Sequence, residues 1–387
     1  MLRVLTLSTL FPSAAQPTFG LFVERQTLGL AARPDVALQV VNPLRLAAWP
    51  LVLHPRYRDR ARLPERETWK GVTVHRPRFP GLPNVGAAGM PRAMAGALLP
   101  LLKEIRKSFP FEVIDAEFFW PDGPAAMRLA AALGVPFSIK ARGADIDYWG
   151  NKPAVKSQIA AAGKAADGLL AVSAELKAHM IDLGMPADKI RIHHTGIDRE
   201  RFHSRDRAAA KARLGVEGPL LVSIGHLIER KGQRIALDAL AALPGVTLIL
   251  VGEGEDRAML ERTARKRGLA DRVRFLGARP HDDLPGLLRA ADAMVLASAS
   301  EGIANAWVEA VACGTPVVTC DVGGARDVID RPAAGRLVAR TPEAIAAAVR
   351  DILADPPAPA GVAKAADKFS WEKNGAELFD HLSGLVR

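Results

Sequence analysis

SASEGIANAWVEAVACGTPVVTCDVGG, residues 298–324, reads as a loop, a helix and a buried strand in succession. Ser298, Ser300 and Gly302 are turn formers. Between Ile303 and Ala312 only Asn305 and Glu309 interrupt an apolar run. Gly314-Thr315-Pro316 then breaks the helix, and Val317, Val318 and Thr319 are β-branched. Just upstream, Ala293–Leu296 is a second short apolar run. Two strands joined through a helix must lie parallel, because the crossover carries the chain back to the same edge.

The pattern extends outward in both directions. Downstream of Pro219 it gives strands at Leu220–Ile224, Thr247–Val251, Val273–Leu276, Ala293–Leu296 and Pro316–Thr319, separated by helices such as Gln233–Ala242 and Asp256–Arg267. Upstream it gives Leu2–Leu7, Val36–Val41, Val72–His75, Val113–Ala116, Phe137–Lys140 and Gly168–Val172, with helices at Arg92–Lys107, Pro124–Leu133 and Ala174–Leu183. This predicts an α/β protein of two Rossmann-like domains facing a central cleft, each a parallel sheet with helices on both faces. Residues 198–218 are polar and basic and read as the connection. Asp355-Pro356-Pro357-Ala358-Pro359 marks a second break, before a helix around Trp371–Leu382. The expected domains are 1–200 and 201–369, with a C-terminal helix, 370–387, packing back on the first.

Composition agrees with a folded, non-membrane chain. It has 387 residues, 49% hydrophobic and 24% charged, which excludes a disordered or fibrous protein. No apolar run reaches the roughly 18 residues of a membrane span. Cys313 and Cys320 lie in an apolar stretch and read as reduced core thiols, with Cys313 a packed residue and not a nucleophile. Met1–Ala15 has the outline of a weak signal peptide, but the strand–helix pattern that follows makes it a first buried strand. A cytoplasmic protein is expected. Net charge is +10, with a surplus of 8 in residues 1–200 and of 2 in 201–387. Within 44–78, 9 basic residues face 3 acidic ones. The segment 44–62, LRLAAWPLVLHPRYRDRAR, mixes Arg with Leu, Trp and Tyr. That mixture suits an anionic membrane surface, at the inner face of the cytoplasmic membrane, or a lipid-diphosphate acceptor.

In the second domain the strand ends carry the chemistry. They are Gly225-His226-Leu227-Ile228-Glu229-Arg230-Lys231-Gly232, Gly252-Glu253-Gly254, Gly277-Ala278-Arg279, Ser298–Gly302 and Asp321–Gly324. Glycine lets backbone approach a ligand closely, and ligands bind at the carboxyl ends of parallel strands. Glu309 is the lone charge in its helix, and a carboxylate among apolar residues needs a specific partner. Residues Gly302, Ile303, Ala304 and Asn305 form the helix start, whose free N–H groups favour an anion. Arg230 and Lys231 add two cations, and Glu301 stands just outside. The set suits a diphosphate, with a carboxylate on each side for sugar hydroxyls.

Glu301 and Glu309 make a Glu-x7-Glu motif, and the 298–324 block resembles retaining glycosyltransferase family 4, which has the GT-B fold. The likeness is nearest in look to bacterial teichuronic-acid-type cell-envelope enzymes. It is carried further by LTLSTLFPSAAQPTFGLFVERQ at 5–26, WPDG at 120–123, ARGAD at 141–145, HTGID at 194–198, GHLIERKG at 225–232 and FSWEKN at 369–374. The resemblance implies that Glu301 contacts the donor sugar, that Glu309 holds the nucleotide ribose and that Arg230 and Lys231 neutralise the diphosphate. It implies that Gly20, in the first domain's opening loop, faces the leaving phosphate across the cleft. It also implies retention of configuration, a UDP- or GDP-linked sugar as donor substrate, a glycan or lipid-linked acceptor, no resident cofactor and no metal. Two positions depart from the family pattern. His226 stands for an arginine in the usual Gly-Arg-Leu, and Arg142 stands for the histidine near the transferred sugar.

Competing motifs are weaker. Asp145-Ile146-Asp147 matches the metal motif of the other glycosyltransferase fold but lacks its context. His193, His194 and His203 lack ligand spacing. Gly252-Glu253-Gly254 with Arg257 fails the dinucleotide fingerprint. A nucleic-acid binder would need aromatic platforms or a helix-turn-helix beside the charge, and neither is present. A non-catalytic sugar-nucleotide binder would not need both glutamates and both cations, and a soluble small-molecule acceptor remains the alternative to an envelope one.

Overall fold

The computed structural model describes residues 1–17, 19–46, 59–80 and 87–386. Most of the basic segment 44–62 therefore lies outside the described residues. Contacts divide the chain into two units, 1–196 with 371–387, and 197–370.

The first unit holds β1 (Leu2–Leu7), β2 (Val36–Val41), β3 (Leu44–Leu46), β4 (Arg66–Trp69), β5 (Val72–His75), β6 (Arg78–Pro80), β7 (Val113–Ala116), β8 (Phe137–Ala141), β9 (Gly168–Ala171) and β10 (Ile190–Ile192). Eight of them form one sheet in the order β10-β9-β8-β7-β1-β2-β5-β4. Seven run parallel, whereas β4 pairs antiparallel with β5 at the edge. The wholly parallel sheet expected from the sequence is thus capped by a hairpin, because only Lys70 and Gly71 separate Trp69 from Val72 and such a turn cannot hold a crossover. β3 and β6 make a separate two-stranded ribbon. β1, the reading preferred over a signal peptide, lies inside the sheet between β2 and β7. The last helix, Trp371–Leu385, belongs to this unit and buries Leu378 and Leu382 against Leu2, Val4 and Leu30.

The second unit holds β11 (Leu220–Ile224), β12 (Thr247–Val251), β13 (Val273–Gly277), β14 (Ala293–Leu296), β15 (Val317–Cys320) and β16 (Gly335–Val338). Their order is β13-β12-β11-β14-β15-β16, all parallel. In β11, Leu220, Val222 and Ile224 enter one core cluster and Leu221 enters the other. Both faces are covered by helices, so the strand is an unbroken apolar run.

The segment expected to connect the domains does more than that. Its helix Arg207–Arg213 is capped by Asp206, whose carboxylate accepts the Ala209 N–H at 3.2 Å. Lys211 pairs with Asp292 at 2.5 Å, and Asp292 also accepts the Leu220 N–H at 2.7 Å. The segment is built into the second unit. Its helix, RAAAKAR, has no large apolar residue to advertise that packing.

Candidate active site

In the second unit the winding reverses between β11 and β14, and a doubly wound sheet opens a crevice at such a point. The loops beyond those strands are tied together. The Ala299 N–H bonds the Arg230 carbonyl at 2.8 Å, Leu227 bonds Glu253 at 3.0 Å, Gly252 bonds Gly277 at 2.9 Å and Gly324 bonds Gly302 at 2.6 Å. Arg340 pins the loops from beneath, with bonds to the Ala297 and Glu229 carbonyls at 2.9 and 2.8 Å. Gly252 (φ 135°) and Gly323 (φ 56°) permit this closeness. A Cβ on either would strike a neighbouring carbonyl, of Gly225 or of Glu301.

Glu301 sits at this reversal. Its carboxylate pairs with Lys231 Nζ, lies 3.8 Å from Arg230 and accepts the Ser298 hydroxyl at 2.7 Å. Arg230 also donates to the Ser300 carbonyl at 2.6 Å. Half of the Arg230 side chain stays exposed, at 48%, whereas Lys231 and Glu301 are at 15% and 9%. The helix Asn305–Ala312 begins at Ala304 with no side-chain cap. Its first N–H groups are therefore left for water or a ligand. Gly225 lies beside Gln233 and Lys231, and Gln233 Nε2 donates to the His226 carbonyl at 3.0 Å.

Glu309 is buried, as its apolar neighbours require, but it is not solitary in space. His281 Nε2 meets its Oε1 at 2.8 Å. The His281 ring lies 5.0 Å from that of Phe202, and its Nδ1 meets Arg201 at 3.3 Å. The specific partner that the apolar setting of Glu309 requires is this histidine. It comes from the loop after β13, four residues past Gly277 and just beyond the stretch singled out. Ser298 stands in a strand end read from the sequence, without a partner assigned to it there, whereas His281 lies outside those stretches, and its nearness to Gly277 is the one signal available for it.

The remaining expected residues lie in the first unit. Gly20 (φ 74°) precedes the helix Leu21–Ala31, with its position hard against the Leu10 carbonyl. The Arg142 side chain is covered, though the residue as a whole is only partly buried; it bonds the Glu117 carboxylate and, at 2.8 Å, the Glu117 carbonyl, and it lies 4.8 Å over the Phe22 ring. Glu117 also accepts from Gln26. Lys140, fully buried, donates to Gln26 at 2.6 Å and to His193 at 2.8 Å. Burial pushes its ammonium down to about 7. Asp122 accepts two bonds from Thr9, at 2.8 and 3.2 Å, yet burial still pushes its carboxyl up to about 7. Asp145 and Asp147 face different partners. Asp145 accepts the N–H groups of Phe119, Arg142 and Gly143, and Asp147 meets His179 at 2.8 Å. His193 is in the Lys140 network, while His203 bonds Arg205 at 2.7 Å. Cys313 is buried, its thiol pushed up to about 12 by desolvation. Among the described residues no helix is long and apolar enough to cross a membrane.

Comparison with known proteins covers both halves. Residues 204–369 match the model described as "Glycosyl transferases group 1". Residues 50–201 match "Glycosyltransferase Family 4". A teichuronic acid biosynthesis glycosyltransferase, TuaC of Bacillus subtilis, is 28% identical over 84% of this chain and 82% of its own length. A GDP-mannose-dependent alpha-(1-6)-phosphatidylinositol monomannoside mannosyltransferase of Mycolicibacterium smegmatis is 32% identical over 61% of this chain and 67% of its own. Among solved structures, Anabaena Alr3699/HepE in complex with UDP superposes with a TM-score of 0.76 at 20% identity, covering 100% of both chains; at that identity the likeness speaks for the fold.

Proposed function

The chain belongs to the family 4-type glycosyltransferases of GT-B fold, and from that premise we propose that it transfers a sugar from a UDP- or GDP-linked donor to a cell-envelope glycan or lipid-linked acceptor, with retention of configuration. The observation that carries the donor half is the meeting of Lys231, Arg230 and Glu301 at the β11/β14 reversal, beside an uncapped helix start. Two cations and free N–H groups complement a diphosphate. Glu309, steadied by His281, takes the ribose hydroxyls, and Glu301 the donor sugar. The envelope acceptor is supported by the relatives, one named for teichuronic acid and one for a phosphatidylinositol mannoside. A nucleotide donor is supported by the relative named for GDP-mannose and by the neighbour holding UDP.

In the transfer, the bond between the anomeric carbon and the diphosphate oxygen breaks, and the acceptor hydroxyl oxygen bonds that carbon on the same face. The hydroxyl proton passes to the departing phosphate. Charge develops on the diphosphate, where Lys231, Arg230 and the helix N–H groups are already placed, which is the arrangement that lowers a barrier. Those groups supply the charge otherwise given by a divalent metal. Glu309, if held to the ribose, cannot also flank the anomeric carbon, so a two-carboxylate double displacement is not the mechanism assigned. The test is the anomeric coupling of the product, read by NMR, with the reaction run in excess chelator. A retained α-linkage at full rate is expected. Inversion would overturn the mechanism, and loss of activity restored by magnesium or manganese would overturn metal independence. Peripheral membrane binding through 44–62 is proposed with it. Sedimentation should favour anionic over neutral vesicles.

A further inference from the structure

Three arginines around the carboxyl edge of the first unit's sheet are answered by carboxylates, and a fourth is not. Arg76, fully buried, pairs with Glu67 at 2.6 Å. Arg78 pairs with Glu65 at 2.6 Å. Arg142 pairs with Glu117. Arg45, on β3 and half-buried, meets among the described residues only the Met90 thioether, at 3.7 Å. A thioether is a weak acceptor and does not neutralise a guanidinium. The residues that follow in sequence, 47–58, contain two arginines, a histidine and no acid, so no carboxylate of that stretch is in reserve for it.

Arg45 lines a cavity of about 330 Å3, which opens beyond the ends of β1, β2 and β7. That volume is at the small end of small-molecule sites, roughly 300–1,000 Å3. Phe11, Phe79 and Trp149 supply apolar wall. Asn42 lines it too, but its side chain is already bonded to the Ser8 carbonyl at 2.7 Å and to Arg76. Arg60, also at the wall, is bonded to Gln16. The cavity therefore joins an aromatic surface to a partly desolvated cation whose charge no carboxylate among the described residues answers. Leaving such a cation without an anion costs free energy, which a ligand's negative charge would recover.

We propose that this cavity seats an acceptor in which a phosphate ester adjoins an apolar group, with Arg45 as the residue that reads the phosphate. This rests on the sugar-transfer reading, since it names the class of molecule receiving the sugar. A guanidinium presents two parallel N–H groups that match two phosphate oxygens, and the aromatic wall takes the apolar group.

The experiment titrates the full chain by calorimetry with octyl phosphate, octyl glucoside and inorganic phosphate, each below micellar concentration. Octyl phosphate should bind at least about 10-fold more tightly than either of the others, the scale of one charge-assisted hydrogen-bonding group. Arg45→Gln should remove that preference, leaving octyl phosphate and octyl glucoside alike, and Arg45→Lys should restore part of it. Equal binding of the two amphiphiles to the unaltered chain would overturn the cation's role, and inorganic phosphate binding as tightly as octyl phosphate would overturn the apolar half. The preference surviving in Arg45→Gln would assign it to the chain's general positive charge and sink the proposal as well. The comparison of ligands on the unaltered chain stands even if a variant fails to fold. Nucleoside diphosphate binding and donor hydrolysis are measured on the same samples. Their failure beside a retained Arg45-dependent preference would strike the transfer reading alone.

Discussion

Both units wind their sheets outward from the first strand, β1 in one and β11 in the other, and both reverse at the strand beside it. The two reversals are furnished differently. Beyond β11 and β14 the loops are glycine-rich, and Arg230 keeps half its side chain in solvent beside Lys231 and Glu301. Beyond β1 and β7 the charges are sealed: Glu117, Asp122, Lys140 and Asp145 are all fully buried. Topology provides a place for a ligand in each unit, but the side chains decide whether charge there is offered or consumed. The second unit offers it. The first consumes most of it in its own core and leaves Arg45 over.

The contrast breaks most visibly at Arg142. If its bond to Glu117 is a strut, Arg142→Met strands a buried carboxylate, and stability should fall by roughly 3–5 kcal/mol. Urea unfolding measures this, with nucleoside diphosphate affinity of the folded fraction unchanged. A variant with unchanged stability and collapsed turnover would instead make Arg142 a sugar contact, and the first reversal would be as open as the second.

At the second reversal the effect should be on rate. Lys231→Met should lower kcat about 100-fold while the donor KM moves only a few-fold, since the charge it meets is fully developed only at the transition state. A rise in KM alone would make Lys231 a uniform binder.

These contrasts were unevenly legible in the sequence. Strands buried on both faces are continuous apolar runs, so β11, β12 and β14 could be read directly. β16 was missed because Gly335 and Arg336 interrupt it, and β10 because Arg191 and Ile192 face outward. At the second reversal Glu301 and Glu309 share a short sequence window and a family motif, and Arg230 and Lys231, 70 residues upstream of the Glu301 loop, share one strand-end loop. The first unit's network has no such grouping. Gln26, Glu117, Lys140 and His193 come from four separate elements, and no spacing rule brings them together. Glu309 is legible from its apolar surroundings, but its partner His281 is not, since that pairing exists only once the loop after β13 meets the helix Asn305–Ala312.

That pair gives a smaller test. Glu309→Gln should weaken nucleoside diphosphate binding about 10-fold, the cost of losing one charged hydrogen bond. His281→Ala should act in the same direction by less, and should also narrow the preference for ribose over 2′-deoxyribose, because an unsteadied Glu309 reads the diol poorly. Unchanged affinity in Glu309→Gln would remove the ribose assignment.

The smallest effect expected is a pH dependence seated in the sealed reversal. Asp122 has its carboxyl pushed up from 3.8 to about 7 by burial, against the Thr9 bonds that lower it. Between about pH 4 and 7 the folded chain therefore keeps a proton that the unfolded chain has lost. The folded state binds more protons in that window, so stability falls as pH rises through it and levels off above 7. Lys140 works in the opposite sense. Its ammonium is pushed down from 10.5 to about 7, so from pH 7 upward the unfolded chain holds the extra proton and stability recovers. The two together place a shallow minimum near neutrality. Neighbouring charges share the response, so its depth should be on the order of 1 kcal/mol, less than the 1.36 kcal/mol per unit of an isolated shift would sum to. Asp122→Asn has no proton to lose. Urea midpoints at pH 5, 7 and 9 should show the variant's stability holding between 5 and 7 while the parent's declines. Parallel curves over that interval would mean that Asp122 is ionised in the folded chain, and that the first reversal carries an open carboxylate after all.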